Sequence, residues 1–359
     1  MLKWFLRKYP DYVEKMICCS YNYNNSSVHY HHLEENIWTH SMMAYNQGLM
    51  QGVSKYVLWA ILLHDIGRTY TRRVDDENKK VSFGNYSGVS CYVALEVLDA
   101  SDLESNEKIR IVKIISYHLM ILDFMRYDTL SLESLQKNLE YENELAQDLL
   151  EYMKCDMFGR LIDPSMKEYY NIRKCNKFIK SFKQKKSFKQ KKLKKRTLYI
   201  LSGPPCSGKT SWIQSYKKDY ILICRDDIED EIGRKYNKYT HDEAFKLIDN
   251  NKDIKREVDI MEKKGHDEAA RSQNLDIIID NPNLTIKKRQ EWIERFSDTH
   301  DIVVVLFLTP YSILIQRDKK RSHELKKTIH KKGILNKLED FSYPLYSEGF
   351  DKLEIIFGK

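Results

Sequence analysis

The sequence predicts two domains of different structural class, an all-helical domain followed by an α/β domain with a mostly parallel sheet. The chain has 359 residues, which is long enough for two or three domains with separate cores. Before residue 177, apolar side chains recur with the period of about 3.6 residues that indicates helices. After residue 196, short β-rich runs alternate with charged helical stretches, as in open α/β sheets.

A basic segment separates the two patterns and sets the predicted boundaries. Residues 177–196 contain 11 Lys and Arg and no acid, and subtracting these 11 from the net charge of +8 leaves −3 for the rest. We expect a helical domain over 1–176, this linker, and an α/β domain over 197–359. The linker is either a solvated connector or a segment that follows nucleic-acid phosphates, since clustered cations bind polyanions by releasing counterions.

Cysteine usage and hydropathy indicate a cytoplasmic protein. The seven cysteines are scattered, odd in number and without a C-x-x-C pair, which is typical of reduced thiols. The first residues lack the apolar stretch of a signal peptide, and no apolar run reaches membrane-spanning length. We therefore expect no membrane partner.

The helical domain contains a set of candidate metal ligands. His64 and Asp65 stand side by side in AILLHDIGRTYTRR, His40 precedes them in HHLEENIWTHSMM, and Asp156 follows in YMKCDMFGR. Imidazole and carboxylate together suit a catalytic divalent transition metal, with a position left open for water. A single histidine in such a helix is more often a packed core residue, so the prediction depends on the whole set.

The order H…HD…D, with Gly-Arg three residues after the last Asp, resembles the HD phosphohydrolase superfamily over residues 25–165. The resemblance implies an all-helical, metal-dependent fold. It implies that His40, His64, Asp65 and Asp156 bind the first metal. Arg68 stands where that superfamily usually has a lysine after HDIG, and it is implied to bind a substrate phosphate.

A departure from the superfamily's pattern leads us to expect one metal ion rather than two. Many members of the superfamily build a second metal site from a His and an acid, together with a later His. Here FGNYSGVS places Tyr86 and Ser87 at the first two positions, although His118 is present. We expect one divalent transition ion (Mn, Co, Ni, Cu, Zn or Fe). His32 is a weaker candidate for the same pocket.

Five apolar runs after the linker are predicted to be buried parallel strands. They are TLYILS (197–202), YILIC (220–224), LDIIID (275–280), IVVVLFL (302–308) and LEIIF (353–357). The first runs directly into GPPCSGKTS, which fits the phosphate-binding pattern G-x-x-x-x-G-K-[ST]. Its glycines allow backbone amides to surround a phosphate, Lys209 reaches the β/γ-phosphates and Thr210 binds Mg²⁺. The candidate nucleotide-binding residues are Gly203, Ser207, Gly208, Lys209, Thr210, Ser211, Arg317 and Arg321.

Polar residues follow three of the predicted strands. Asp226 and Asp227 come after the second strand, where a carboxylate either accepts the proton of an attacking hydroxyl or caps the next helix. DNPNLTIKKRQEW places Asp280 and Asn283 after the third. Arg317 and Arg321 lie four residues apart after the fourth, where they either close over a triphosphate or form a solvated basic helix face.

Together these residues resemble the kinase domain of phage-type polynucleotide 5′-kinases over about 160 residues. The shared elements are the phosphate-binding loop, the RDD after the second strand, the D-N-x-N-L…R-x-x-W stretch and the R-x-x-K-R lid. The resemblance implies that Asp226 is the general base and that Arg321 acts on the phosphates. Glu229 stands where that family has an arginine for the acceptor phosphate, so we expect Arg234 or the linker to hold the acceptor.

The order of the two domains resembles bacterial bifunctional end-healing enzymes. The resemblance implies that the HD domain removes 3′-phosphate, 2′-phosphate or 2′,3′-cyclic phosphate ends. The kinase domain is implied to phosphorylate 5′-hydroxyl ends with ATP or another NTP. The implied partners are RNA or DNA ends and an ATP-dependent polynucleotide ligase. The implied catalytic residues are Lys209, Asp226, Arg321 and Arg68.

Two other functions are compatible with the sequence. One is a metabolic enzyme in which an HD nucleotide phosphohydrolase is fused to a small-molecule kinase. The other is a nucleotide-sensing regulator with a decayed HD site, for which Tyr86 is the main support. A Michaelis constant that does not depend on salt would favour the first, and the absence of bound transition metal would favour the second.

Overall fold

The computed structural model describes residues 1–24, 31–126, 131–164, 196–272, 275–325 and 329–358. The chain divides into an N-terminal unit, Met1–Phe188 with Leu338–Ser347, and a C-terminal unit, Lys189–Lys337 with Glu348–Lys359. Apart from Arg196, the predicted basic linker lies outside the described residues. No helix in the described part of the chain is both long enough and apolar enough to cross a membrane.

The N-terminal unit is helical, which confirms the predicted class. Asn36 and Ser54 begin two of its helices, where their side-chain oxygens accept hydrogen bonds from backbone amides of the first turn. The helices are α1 (Leu2–Lys8), α2 (Pro10–Cys18), α3 (Ile37–Gln51), α4 (Lys55–Leu63), α5 (Arg68–Thr71), α6 (Tyr86–Asp99), α7 (Ser105–Arg126), α8 (Leu132–Asn138) and α9 (Asn143–Phe158). Helix α4 is largely buried, as its nearly uninterrupted apolar sequence requires.

A short hairpin interrupts the helices, a feature that the helical pattern did not predict. Strand β1 (Arg72–Asp75) pairs antiparallel with β2 (Lys80–Phe83). The Asp75 carboxylate closes the turn, because its Oδ1 accepts hydrogen bonds from the amides of Glu77 at 3.1 Å and Asn78 at 3.0 Å. The helical domain therefore contains a small exposed sheet beside α5.

Residues 338–347 belong to the N-terminal unit, although the sequence places them in the α/β domain. Phe341 and Tyr343 are buried there, and the Phe341 ring lies 5.0 Å from that of Tyr92. The Tyr343 amide donates to Ser116 Oγ at 3.0 Å, and the Tyr117 hydroxyl donates to the Tyr343 carbonyl. These contacts supply part of the core of the N-terminal unit.

The C-terminal unit alternates strands and helices. Its strands are β3 (Thr197–Ser202), β4 (Tyr220–Ile223), β5 (Asp276–Ile279), β6 (Asp301–Leu308) and β7 (Lys352–Phe357). Its helices are α10 (Lys209–Ser215), α11 (Arg225–Lys235), α12 (His241–Asp249), α13 (Lys252–Arg271), α14 (Ile286–Phe296), α15 (Tyr311–Leu325) and α16 (His330–Glu339), the last of which runs two residues beyond the unit.

All five strands lie in one parallel sheet in the order β4-β5-β3-β6-β7, which confirms the predicted sheet. From β3 the chain runs to β4 and β5 on one side and later to β6 and β7 on the other. Ligands bind at such a reversal, outside the carboxyl ends of the strands. The loop that follows β3 therefore lies at the expected binding crevice.

Gly88 on α6 tests the packing of residues 338–347. A Cβ at this position would lie 2.1 Å from the Leu338 carbonyl oxygen and 3.0 Å from Phe341 Cβ. We expect Gly88→Ala to destabilise the N-terminal unit by about 1–3 kcal/mol, because backbone must move to admit the methyl group. Chemical denaturation followed by circular dichroism measures the change.

The matched control is Gly265→Ala, since a Cβ at Gly265 on α13 would have no neighbour within 4 Å. We expect this variant to gain up to about 1 kcal/mol from helix propensity. An unchanged denaturation midpoint for Gly88→Ala would contradict the packing described for residues 338–347.

Candidate active sites

His40 and Asp156 meet in the interior of the N-terminal unit. His40 on α3 and Asp156 on α9 are fully buried, and His40 Nε2 lies 2.9 Å from Asp156 Oδ1. Burial alone would lower the pKa of His40, but the Asp156 carboxylate and then Glu34 raise it to about 10. In the protein alone this imidazole is therefore protonated, and a metal bound at Nε2 would displace the proton.

His64 and Asp65 complete the cluster at the end of α4. The His64 Nδ1–H donates to the Ile61 carbonyl at 2.8 Å, which leaves Nε2 with its lone pair. That Nε2 lies 3.4 Å from Asp65 Oδ1 and 3.9 Å from Asp156 Oδ1. The structure thus brings all four predicted metal ligands together.

The donor set fits a divalent transition metal. Ligand atoms of His40, His64 and Asp65 all lie within 4.8 Å of one another, and the three residues are buried. Asp156 Oδ1 lies near both imidazoles, so a fourth ligand atom, an oxygen, is available. Imidazole nitrogens with carboxylate oxygens, without thiolate, are the ligands of catalytic rather than closed structural sites.

A second layer of polar residues positions the ligands. Glu34 Oε1 lies 3.0 Å from His40 Nδ1 and 2.8 Å from His32 Nδ1, and its Oε2 accepts from the Leu161 amide at 3.1 Å. Arg160 is buried and pairs with Asp156 Oδ2. His32 is thus linked to His40 through Glu34, and the ligand atoms of these three buried residues also lie within 4.8 Å of one another.

Arg68 is held between an acid and an aromatic cage. Its Nε lies 2.8 Å from Asp65 Oδ1, and its Nη2 donates to the Tyr86 hydroxyl at 2.6 Å. The guanidinium carbon lies 3.8 Å from the centre of the Tyr86 ring. Burial would raise the pKa of Asp65, but Arg68 and His64 hold that pKa well below its usual range.

Tyr86 also contacts His118. The His118 Nδ1–H donates to the Ile115 carbonyl at 2.7 Å, and its Nε2 lies 3.4 Å from the Tyr86 hydroxyl. Thus Tyr86 stands between Arg68 and the imidazole that the sequence comparison placed in a second metal site. Ser87 is buried and its hydroxyl donates to Asn85 Oδ1 at 3.0 Å.

In the C-terminal unit, the phosphate-binding loop follows β3 directly. The Gly203 amide donates to the Pro282 carbonyl at 2.9 Å, and the Thr309 hydroxyl donates to the Ser207 carbonyl at 3.0 Å. Gly208 has φ of 108°, a conformation that favours glycine. A Cβ at Gly203 would lie 2.7 Å from Ser207 Oγ. Both glycines predicted for the loop are therefore required by its geometry.

Lys209 lies at the centre of this site. Its Nζ donates to the carbonyls of Gly203 at 3.0 Å and Pro204 at 3.1 Å. Burial lowers the pKa of Lys209, while Asp280 and Asp226 act in the opposite direction. The structure thus brings Lys209 into the electrostatic range of both predicted acids. Thr210 and Ser211 follow on the first turn of α10, where they are exposed.

Asp226 and Asp227 lie in the first turn of α11 and are exposed. The residue at the N-cap is Cys224, so neither aspartate caps this helix. Glu229, one turn later, is buried and its Oε1 accepts from Arg225 Nε at 3.0 Å. Burial raises the pKa of Glu229. Glu229 therefore cannot take the place of a phosphate-binding arginine, and Arg234 is exposed at the far end of the helix.

Both lid arginines on α15 reach the loop region. Arg317 Nη1 donates to the Cys206 carbonyl at 3.1 Å. Arg321 acts on the pKa of both Lys209 and Cys206, so its guanidinium lies near the loop. Its Nε and Nη2 atoms are buried and have no hydrogen-bond partner in the part of the chain that the structure describes. They are available to an anionic ligand.

The D-N-x-N-L…R-x-x-W stretch builds the wall of the site. Asn283 is buried, its Nδ2 donates to the Leu201 carbonyl at 2.9 Å, and its Oδ1 accepts from Trp292 Nε1 at 3.1 Å. Arg289 donates to the Asn283 carbonyl at 3.1 Å and forms a bidentate pair with Glu348. These residues hold the loop that carries Asp280.

Several residues at these sites had no role predicted from the sequence. Glu34, Tyr21 and Arg160 contact the metal-ligand cluster, with the Tyr21 hydroxyl donating to Asp65 Oδ2 at 3.1 Å. His241 offers a ligand atom within 4.8 Å of Asp226 and Glu229. For Glu34, Tyr21 and His241 the only advance signal was residue type, whereas Arg160 belongs to the Gly-Arg that follows Asp156 at fixed spacing.

Comparison with known proteins bears on the C-terminal unit. Residues 198–340 match a family model described as an AAA domain. The match covers most of the phosphate-binding site and supports a kinase-type, nucleotide-binding P-loop domain that uses Mg²⁺. No HD domain is detected, so the HD identity of the N-terminal unit stays a prediction. No curated protein matches the chain.

Glu34 tests the metal-ligand cluster. We expect Glu34→Gln to weaken binding of Mn²⁺ or Co²⁺ by roughly 10–100-fold, because outer carboxylates orient and polarise ligating imidazoles. Isothermal titration calorimetry on the metal-free protein measures the affinity. The matched control is Glu35→Gln, since Glu35 is the neighbouring residue and is exposed. Equal metal affinities in the two variants would contradict the role of Glu34.

Proposed function

We propose that this protein heals nucleic-acid ends through two separate activities. The C-terminal unit transfers the γ-phosphoryl group of ATP or another NTP to a 5′-hydroxyl end. The N-terminal unit removes 3′-phosphate, 2′-phosphate or 2′,3′-cyclic phosphate ends with one divalent transition ion. The two products are the ends that a polynucleotide ligase joins, which makes such a ligase the expected partner.

The kinase proposal is supported by the grouping of charges around the phosphate-binding loop. Asp226, Asp280 and Arg321 all lie close enough to Lys209 to act on its pKa. Asp226 accepts the proton of the 5′-hydroxyl as its oxygen bonds to the γ-phosphorus, and the bond to the β–γ bridging oxygen breaks to release ADP. Lys209 and Arg321 stabilise the charge on the transferring group.

The phosphoesterase proposal is supported by the buried cluster of His40, His64, Asp65 and Asp156. A divalent metal held there would acidify water and polarise the phosphoryl group. Arg68 contributes a fixed cation beside the cluster. Hydrolysis adds water across the P–O bond, so that phosphorus gains the hydroxide oxygen and the 2′ or 3′ oxygen gains a proton.

The arrangement of the cluster favours this proposal over a sensor with a decayed site. A decayed site has no need to keep four ligand residues buried and mutually contacting, since unpaired buried charges are costly. Tyr86, the residue that departs from the superfamily's pattern, contacts Arg68 and His118. The four predicted ligands themselves are all retained. A metabolic kinase would phosphorylate a small alcohol instead of a 5′-hydroxyl oligonucleotide, so the acceptor distinguishes the two functions.

Asp226 carries the kinase prediction. We expect Asp226→Asn to lower the rate of 5′-phosphorylation of a 5′-hydroxyl oligonucleotide by roughly 10²–10⁴-fold, because the general base is lost. Transfer of label from γ-³²P-ATP with Mg²⁺ measures the rate. Asp227→Asn is the control, since Asp227 is exposed on the same turn. A large loss of rate in Asp227→Asn, with near-normal rate in Asp226→Asn, would assign the base to Asp227.

The two activities are expected to separate. His64→Ala should abolish removal of 2′,3′-cyclic phosphate from an oligonucleotide with Mn²⁺ or Co²⁺ and leave 5′-phosphorylation within a few-fold. Lys209→Ala should do the opposite, since each residue belongs to a different unit. Loss of both activities in either variant would contradict the two-site proposal. Phosphorylation of a small alcohol but not of oligonucleotides would favour a metabolic kinase.

A further inference from the structure

Tyr152 has a buried hydroxyl that stands without a hydrogen-bond partner in the part of the chain that the structure describes. This side chain lies on α9 and is fully buried. Its hydroxyl has no hydrogen-bond partner among the residues that the structure describes. Buried polar groups are nearly always paired, and an unpaired hydroxyl costs stability. A tyrosine here, rather than a phenylalanine, therefore calls for a reason outside the protein's own hydrogen bonds.

The position of Tyr152 supplies that reason. It lies four residues before Asp156, so both side chains project from the same face of α9. The centre of its ring lies 5.4 Å from that of His64 and 5.5 Å from that of His118. The ring therefore forms part of the wall of the metal-ligand cluster, beside the imidazole whose Nε2 remains available to a metal.

We propose that Tyr152 is a catalytic residue whose hydroxyl donates a hydrogen bond to a phosphoryl oxygen of the bound substrate. The inference rests on the proposed phosphoesterase function and names one further group that acts in it. A neutral phenol adds a directional donor without adding charge to a site that already holds Arg68. The hydrogen bond to an anionic oxygen offsets the cost of burying the hydroxyl, so that it favours the bound state.

Tyr343 provides the matched control. It is also fully buried, and its hydroxyl also has no hydrogen-bond partner among the described residues. Its ring lies 5.3 Å from Lys113 Nζ, and its backbone contacts Ser116 and Tyr117. No contact of Tyr343 that the structure describes involves His40, His64, Asp65 or Asp156. Removing this hydroxyl changes the protein in the same way at a site without metal ligands.

The experiment compares the full-length wild-type protein with Tyr152→Phe and Tyr343→Phe. Calorimetry measures the affinity for Mn²⁺ and then the affinity of the Mn²⁺-loaded protein for inorganic phosphate. We expect Tyr152→Phe to keep its Mn²⁺ affinity within about 2-fold and to lose roughly 10-fold or more in phosphate affinity. Turnover of a 2′,3′-cyclic phosphate end should fall by a similar factor. Tyr343→Phe should match the wild type in all three measurements.

A second measurement does not depend on the folding of the phenylalanine variant. The protein is prepared with 3-fluorotyrosine at position 152 or at position 343, and ¹⁹F NMR spectra are recorded with Mn²⁺ replaced by diamagnetic Zn²⁺. We expect added phosphate to shift the resonance of residue 152 but not that of residue 343. The absence of a shift at residue 152, while phosphate binds, would overturn the inference.

The outcomes also separate this inference from the proposed function. If the wild type binds phosphate and hydrolyses the cyclic end, and Tyr152→Phe does both equally well, the inference fails and the phosphoesterase stands. If Tyr152→Phe loses Mn²⁺ affinity by the same factor as phosphate affinity, the hydroxyl acts on the metal site and the inference also fails. If the metal-loaded wild type neither binds phosphate nor turns over, the proposed phosphoesterase fails, and the inference fails with it.

Discussion

The burial of two carboxylates is the constraint on which the N-terminal unit depends. Asp65 and Asp156 lie almost completely inside the protein, where an ionised carboxylate is tolerated only with close partners. Asp156 is paired with Arg160 and His40, and Asp65 with Arg68 and the Tyr21 hydroxyl. These partners come from separate parts of the chain, so satisfying the two acids fixes the positions of α3, α5 and α9 together. The same constraint that shapes the unit also brings the four predicted metal ligands together.

Each unit is built from two separate stretches of the chain. The chain leaves the C-terminal unit after Lys337, contributes ten residues to the N-terminal unit, and returns at Glu348. The return point is fixed, because Glu348 forms a buried bidentate pair with Arg289, which in turn holds the Asn283 carbonyl beside the phosphate-binding loop. A fragment that ends at residue 176 would lack Phe341 and Tyr343, and so would lack part of its own core. The units of the structure are therefore not continuous in sequence, whereas the predicted domains are.

What the sequence could predict was local or carried by fixed spacing. The five strands are continuous apolar runs, and the phosphate-binding loop is a motif, so both were found with nearly correct limits. The predicted ligands His40, His64, Asp65 and Asp156 were grouped by a motif although they come from different parts of the helical unit. Partners such as Glu34 and Tyr21 were not, because a single glutamate or tyrosine outside a motif has no pattern that distinguishes it from a surface residue. The pairing of Tyr343 with Ser116 spans 227 residues and depends on shape alone, which no local signal records.

Unpaired buried polar atoms occur at both candidate sites. The Tyr152 hydroxyl is such an atom beside the predicted metal ligands. Near the phosphate-binding loop, Ser207 Oγ and the Nε and Nη2 atoms of Arg321 also have no hydrogen-bond partner among the described residues. Each such atom lowers the stability of the protein alone by about 1–3 kcal/mol, since its desolvation is not compensated. A ligand that supplies the missing partner recovers this free energy, and it therefore stabilises the fold as it binds. Tyr343 and His266 show that an unpaired atom need not mark a site. An unpaired atom supports a site where it lies beside residues that other observations also predict to bind phosphate or metal, as at Tyr152 and Arg321.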